Sequence, residues 1–118
     1  MNFMHYQSAA LKTAMYPSGG VEGLAYACLG LNGEAGEVAE KIKKIVRDTD
    51  AIESKENLDK AIELKREDIV KELGDVLWYV AAMCYELGVT MEEVAEANIE
   101  KLSSRKKRNA ITGSGDNR

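Results

Sequence analysis

Two matching phrases carry four carboxylates: Glu34-Ala35-Gly36-Glu37-Val38 and, thirty-eight residues on, Glu72-Leu73-Gly74-Asp75-Val76. Residues i and i+3 share one face of an α-helix, so Glu34 pairs with Glu37 and Glu72 with Asp75. At about 100° per residue, Glu34 lies about 40° from Val38 and Glu72 about 40° from Val76, beside the apolar stripe and not across from it. Packing the two stripes together would gather all four acids at one edge of the interface. Carboxylates so placed repel one another unless a cation sits among them. All-oxygen ligation suits hard divalent ions, so Mg²⁺ is expected, with Mn²⁺ as a substitute. A lone Glu-x-x-Glu is usually a solvated surface pair; two matched copies at the rim of a core argue against that reading.

Other chemistries lack their residues. A di-iron bundle wants Glu-x-x-His on two helices, and His5 is the one histidine. Zinc sites want Cys and His at short spacing. There is no EF-hand loop or Walker glycine loop, and covalent catalysis by a Ser-His-Asp arrangement has only His5 to draw on.

The elements that must hold the acids read as helices. Ala, Leu, Lys, Glu and Met recur, with one proline and one phenylalanine in 118 residues, a balance that favours helix over strand. Asn2–Met15 is predicted as a first helix, closed by Tyr16-Pro17-Ser18-Gly19-Gly20. The second runs from about Val21 to Val46, with Leu24, Cys28, Leu31, Ala35, Val38, Ile42 and Ile45 as its apolar stripe. Arg47–Asn57 reads as a polar loop, with a short helical piece over Leu58–Leu64. The third covers Lys65–Leu87, with Ile69, Leu73, Val76, Leu77, Val80, Cys84 and Leu87 inward and Gly88 as its stop. Thr90-Met91-Glu92-Glu93 is a capping box opening a fourth helix to about Lys106. Gly36 and Gly74 are expected where the helices approach closely, since each costs about 1 kcal/mol relative to alanine.

An all-α, four-helix-bundle-like protomer follows, with one domain over 1–108 and a flexible C-terminal tail over 109–118. The net charge of −4 argues against stable nucleic-acid binding, with the Arg105–Arg108 cluster as the local exception. No apolar run reaches the roughly 18 residues of a membrane span. Cys28 and Cys84 are expected as reduced, buried core thiols, which fits a cytoplasmic protein.

Glu-x-x-Glu on one helix followed by Glu-x-x-Asp on another resembles the MazG-like nucleotide pyrophosphohydrolases of the all-α NTP pyrophosphatase superfamily. The likeness runs from "LNGEAGEVAEKIKK" through "KELGDVLWYVAAMCYELGV" to "ANIEKLSSRKKR". It implies that Glu34, Glu37, Glu72 and Asp75 bind Mg²⁺ and serve catalysis. It implies hydrolysis of an NTP or dNTP between the α- and β-phosphates, to the monophosphate and pyrophosphate. It also implies assembly into a dimer or tetramer. The gap between Glu37 and Glu72 is longer than is usual in the family, and a lengthened loop around Asp48–Leu64 would absorb it.

Substrate contacts can be assigned on the same helices. Lys41 is seven residues beyond Glu34, on the metal-facing side. Asn98, Lys101 and Arg105 put an amide and two cations on one face of the fourth helix, and this Asn-x-x-Lys arrangement resembles the family's phosphate-binding segment. Tyr79, four residues beyond Asp75, is the candidate base contact, with Tyr6 second; Trp78 lies off the apolar stripe, where a partner subunit could cover it. One of the four acids, or Glu40, could take the proton of the attacking water. Two rival readings remain: the same fold acting on a guanosine alarmone or modified nucleotide, and a non-enzymatic helical dimerisation module.

Overall fold

The computed structural model describes residues 1–48 and 55–118, and these form four α-helices and no strand. They are α1 (Phe3–Leu11), α2 (Gly20–Asp48), α3 (Lys55–Glu86) and α4 (Met91–Lys107). α1 is capped by Asn2, whose side chain accepts from the His5 amide at 2.9 Å. It stops at Leu11, short of Met15. There the Thr13 hydroxyl donates to the Ala10 carbonyl (2.7 Å) and Trp78 Nε1 donates to the same oxygen (3.1 Å). A side chain that takes a backbone acceptor competes with continuation of the helix.

α3 begins at Lys55, ten residues before the predicted start. The short helical piece expected over Leu58–Leu64 is thus continuous with α3, and Lys55–Asn57 of the expected loop are helical as well. These first turns carry charge pairs at helical spacing: Glu56–Lys60 at 2.8 Å, Glu63–Arg66 at 2.5 Å and Lys65–Asp68 at 3.8 Å. Such pairs support a helix without a core. Positions 49–54 of the expected loop lie outside the described residues.

The other ends behave as their residues dictate. Gly88 (φ 68°) ends α3 while its own amide and that of Val89 return to the carbonyls of Tyr85 and Cys84, a Schellman closure. Thr90 and Glu93 make the reciprocal capping box, with Glu93 N donating to Thr90 Oγ1 at 3.1 Å and Thr90 N to Glu93 Oε2 at 2.7 Å.

α2 and α3 form a long antiparallel hairpin whose register can be read from two glycines. A Cβ on Gly23 would collide with the Glu86 carboxylate, and seven residues along α2 one on Gly30 would collide with the Tyr79 ring, seven residues back along α3. The close-approach glycines are therefore Gly23 and Gly30. Gly36 and Gly74, expected in that role, have open space where a Cβ would stand. The same register turns Gly23, Ala27 and Ile45 inward on α2 and leaves Cys28 exposed, while Cys84 is buried as expected.

α1 and α4 close over the end of α3. Ala81, Cys84 and Met91 form a small core with Tyr6, Ala10, Val80 and Val89 around it. Gln7 fastens this end, donating to the Val89 carbonyl (3.3 Å) and accepting from the Met91 amide (2.9 Å). Trp78, expected at a subunit interface, is engaged within the chain: besides Ala10, its Nε1 donates to Thr13 Oγ1 at 2.9 Å.

Much apolar surface stays uncovered. Leu64 is 84% exposed and Leu29 73%, Val70, Leu73, Leu77 and Ile99 are also exposed, and among the described residues no large side chain is fully buried. The radius of gyration is 17.8 Å, against about 13.5 Å for a compact chain of this length. No helix among the described residues is long and apolar enough to cross a membrane.

Candidate metal centre

Glu34 lies one turn beyond Gly30 on α2, and Asp75 one turn before Tyr79 on α3. The register that seats Tyr79 on Gly30 therefore brings Glu34 and Asp75 to the same level. Glu72, a turn further back on α3, completes a cluster. Glu34, Glu72 and Asp75 each offer a carboxylate oxygen, and the three lie within 4.8 Å of one another. Glu34 and Glu72 are half-buried and Asp75 is exposed. Burial raises the Glu34 carboxyl above its ordinary value, and the negative charges of Asp75, Glu72 and Glu37 push the same way. Glu37, the fourth expected acid, is exposed and stands outside the cluster, though its charge is felt at Glu34.

These donors fit a hard divalent ion. Oxygens around Mg²⁺ at about 2.1 Å stand roughly 3–4.2 Å apart, so a small inward movement of three carboxylates would enclose one. The donor set is all oxygen and carries excess negative charge, as such ions require.

Lys41 supplies a cation already. Its Nζ is 3.2 Å from Glu72 Oε1, and that hydrogen bond and charge hold the ammonium above its ordinary value. Expected to face a phosphate tail, it faces an acid of the cluster. Lys41 also borders an open cavity of about 360 Å³, with Ile45, Leu64 and Lys65 among the other walls. Glu40 is held by Lys43 (2.5 Å) and Lys44 (3.5 Å) on its own helix.

Tyr79 borders the acids. Its hydroxyl is raised first by burial, then by Tyr26, then by the charges of Glu34 and Asp75. Tyr6 is likewise raised by burial and by Asp75. Tyr79 belongs to an aromatic group that sequence reasoning missed in part: Tyr26 stacks on Tyr16 (5.1 Å, 4° between planes), and Trp78 stands edge-on to Tyr79 at 4.9 Å. Tyr26 carried little signal of its own: eight residues before Glu34, it lies about 80° round the helix from that acid at about 100° per residue. Tyr16, in the α1–α2 connection, had none. Its hydroxyl donates to Glu86 Oε1 (2.7 Å), whose other oxygen accepts from the Gly19 amide (2.9 Å).

Asn98, Lys101 and Arg105 stay together on α4. Among the described residues, no ion pair joins Lys101 or Arg105 to Glu34, Glu37, Glu72 or Asp75; both cations pair with Asp116 instead.

The model of the MazG nucleotide pyrophosphohydrolase domain matches residues 25–109, a span that holds all four acids and all of α3 and α4. Over 117 residues the chain is 50% identical to the Gene 37 protein of Mycobacterium phage L5, covering 96% of each. No solved structure matches. The chain belongs to the MazG nucleotide pyrophosphohydrolase domain family.

Proposed function

We propose that the protein hydrolyses a nucleoside or deoxynucleoside triphosphate between its α- and β-phosphates, giving the monophosphate and pyrophosphate, with Mg²⁺ held by Glu34, Glu72 and Asp75 and with Glu37 as a fourth ligand. The observation that carries this is the convergence of three carboxylates from two helices within 4.8 Å. When bound there, Mg²⁺ would lower the pKa of a water and neutralise charge on the phosphates. The chain's own residues do the rest. One of the acids beside the metal takes the proton of the attacking water. The Tyr79 ring offers an apolar wall beside the acids for a base. Asn98, Lys101 and Arg105 bind the phosphate tail.

The uncovered apolar surface favours a dimer or tetramer of this chain, because exposed apolar patches mark surfaces of association. Two free cysteines suit a reducing cytoplasm.

The test is product analysis across a panel of canonical and modified NTPs and dNTPs with Mg²⁺. Monophosphate and pyrophosphate are expected. Diphosphate and inorganic phosphate would refute the reading, because attack would then fall on the γ-phosphorus. Turnover of an alarmone or a modified nucleotide alone would keep the site and change the substrate, and no turnover of anything would favour a helical interaction module.

A further inference from the structure

The segment 109–118 has no core residues, yet its backbone is shaped to return to α4. Asn109, Gly113 and Gly115 have φ of 54°, 113° and 85°, left-handed positions that reverse a chain. The returning segment lands on the cations of α4. Arg105 Nη2 donates to the carbonyls of Asp116 (2.9 Å) and Gly115 (3.3 Å) and lies 3.4 Å from Asp116 Oδ1. Lys101 Nζ is 3.7 Å from that same carboxylate oxygen. Arg108 adds a bond to the Arg118 carbonyl at 2.8 Å.

The two partners are unequally matched. Arg105 is 6% exposed, and its buried Nε has no hydrogen-bond partner. Asp116 is 88% exposed, so its hold on the two cations is screened and weak. A buried guanidinium with a spare N–H is an anion site short of an acceptor. A phosphate group, with three acceptor oxygens and more charge, can satisfy it where one carboxylate oxygen does not.

We propose that residues 113–118 form an autoinhibitory strap, in which the Asp116 carboxylate occupies the Lys101–Arg105 anion site in place of a substrate phosphate and must leave before a polyphosphate binds. This rests on the reading that Lys101 and Arg105 receive the phosphate tail. A strap that is closed most of the time weakens apparent affinity by the fraction of open molecules.

Two full-length variants open it by different means. Asp116→Lys sets like charges against each other; Gly115→Val leaves charge alone and strains a backbone at φ 85°. Inorganic tripolyphosphate, titrated without divalent metal so that nothing turns over, is the probe, followed by NMR. In the wild type, binding should release the Gly113 and Gly115 amides into fast motion. Both variants should show those amides already mobile and should bind tripolyphosphate roughly two- to fivefold more tightly, the range of an exposed ion pair. With Mg²⁺ and a nucleotide, KM should fall by the same factor at unchanged kcat. Equal tripolyphosphate affinity in all three proteins, or amides undisturbed at saturation, would overturn the strap. Turnover with one common KM would also sink it while leaving the proposed activity intact. No turnover, with the binding difference present, would reject the activity and keep the strap.

Discussion

Lys41 Nζ lies 3.2 Å from Glu72 Oε1 across the α2–α3 interface, so the acidic cluster is partly neutralised by the chain itself. A divalent ion that takes Glu72 must displace this ammonium. Lys41→Met should therefore lower the melting temperature of the metal-free protein. It should also tighten Mg²⁺ binding by roughly two- to fivefold, the range expected of an exposed pair. Calorimetric titration with Mg²⁺ reads both proteins; unchanged affinity would mean that the pair does not compete with metal.

Glu72→Gln separates a metal site from a solvated surface. It removes a ligand and one of the repelling charges, so metal-free stability should match or exceed the wild type, while turnover falls by about 100-fold or more. At a hundredfold excess over Kd, Mg²⁺ should stabilise the wild type by about 2.7 kcal/mol. That is on the order of 10 °C in a domain of this size. Equal responses of the two proteins in a melting experiment would remove the case for a metal among these acids.

The raised Glu34 carboxyl sets a pH dependence. Its folded form holds a proton where the unfolded chain has lost it, so its contribution to stability is adverse at neutral pH. That penalty is relieved as pH falls through the folded value and is gone below the unfolded one. Metal-free wild type should thus gain stability relative to Glu34→Gln as pH is lowered from 7 towards the ordinary glutamate range. Saturating Mg²⁺ should flatten the difference. Melting curves of both proteins across that window are the check.

The glycines make opposite predictions. Gly30→Ala forces the Tyr79 ring off α2 and should cost about 1–3 kcal/mol, the usual penalty of overpacking. Gly36→Ala and Gly74→Ala meet open space within the chain and should each gain about 0.5–1 kcal/mol from helix propensity. Denaturant unfolding measures all three. A loss at Gly36 or Gly74 would place a second copy's backbone against it.

Light scattering at micromolar concentration should report a dimer or tetramer. Leu73→Arg, on an exposed stretch of α3 that also holds Val70 and Leu77, should shift it towards monomer. A monomeric wild type would leave the open shape of the protomer without an explanation.

The helices and the acids were legible in the sequence because both rest on local spacing. A 3.6-residue period marks each helix, Thr90 and Glu93 announce a capping box, and Glu34 and Glu72 stand at fixed angles from their own apolar neighbours. The first turns of α3 were legible only as a separate short helical piece over Leu58–Leu64, since their charge pairs do not mark continuity with the helix that follows. What lay beyond reach was the register between α2 and α3. Tertiary structure alone decided that Gly23 and Gly30 receive Glu86 and Tyr79, that Cys28 faces outward, and that Glu37 stands apart from the other three acids. It also decided the fate of the cations, Lys41 at Glu72 and Arg105 under the C-terminal segment. The reason is physical: spacing along one helix says which residues share a face, while the partner each face meets depends on how bulky side chains from distant segments seat against one another.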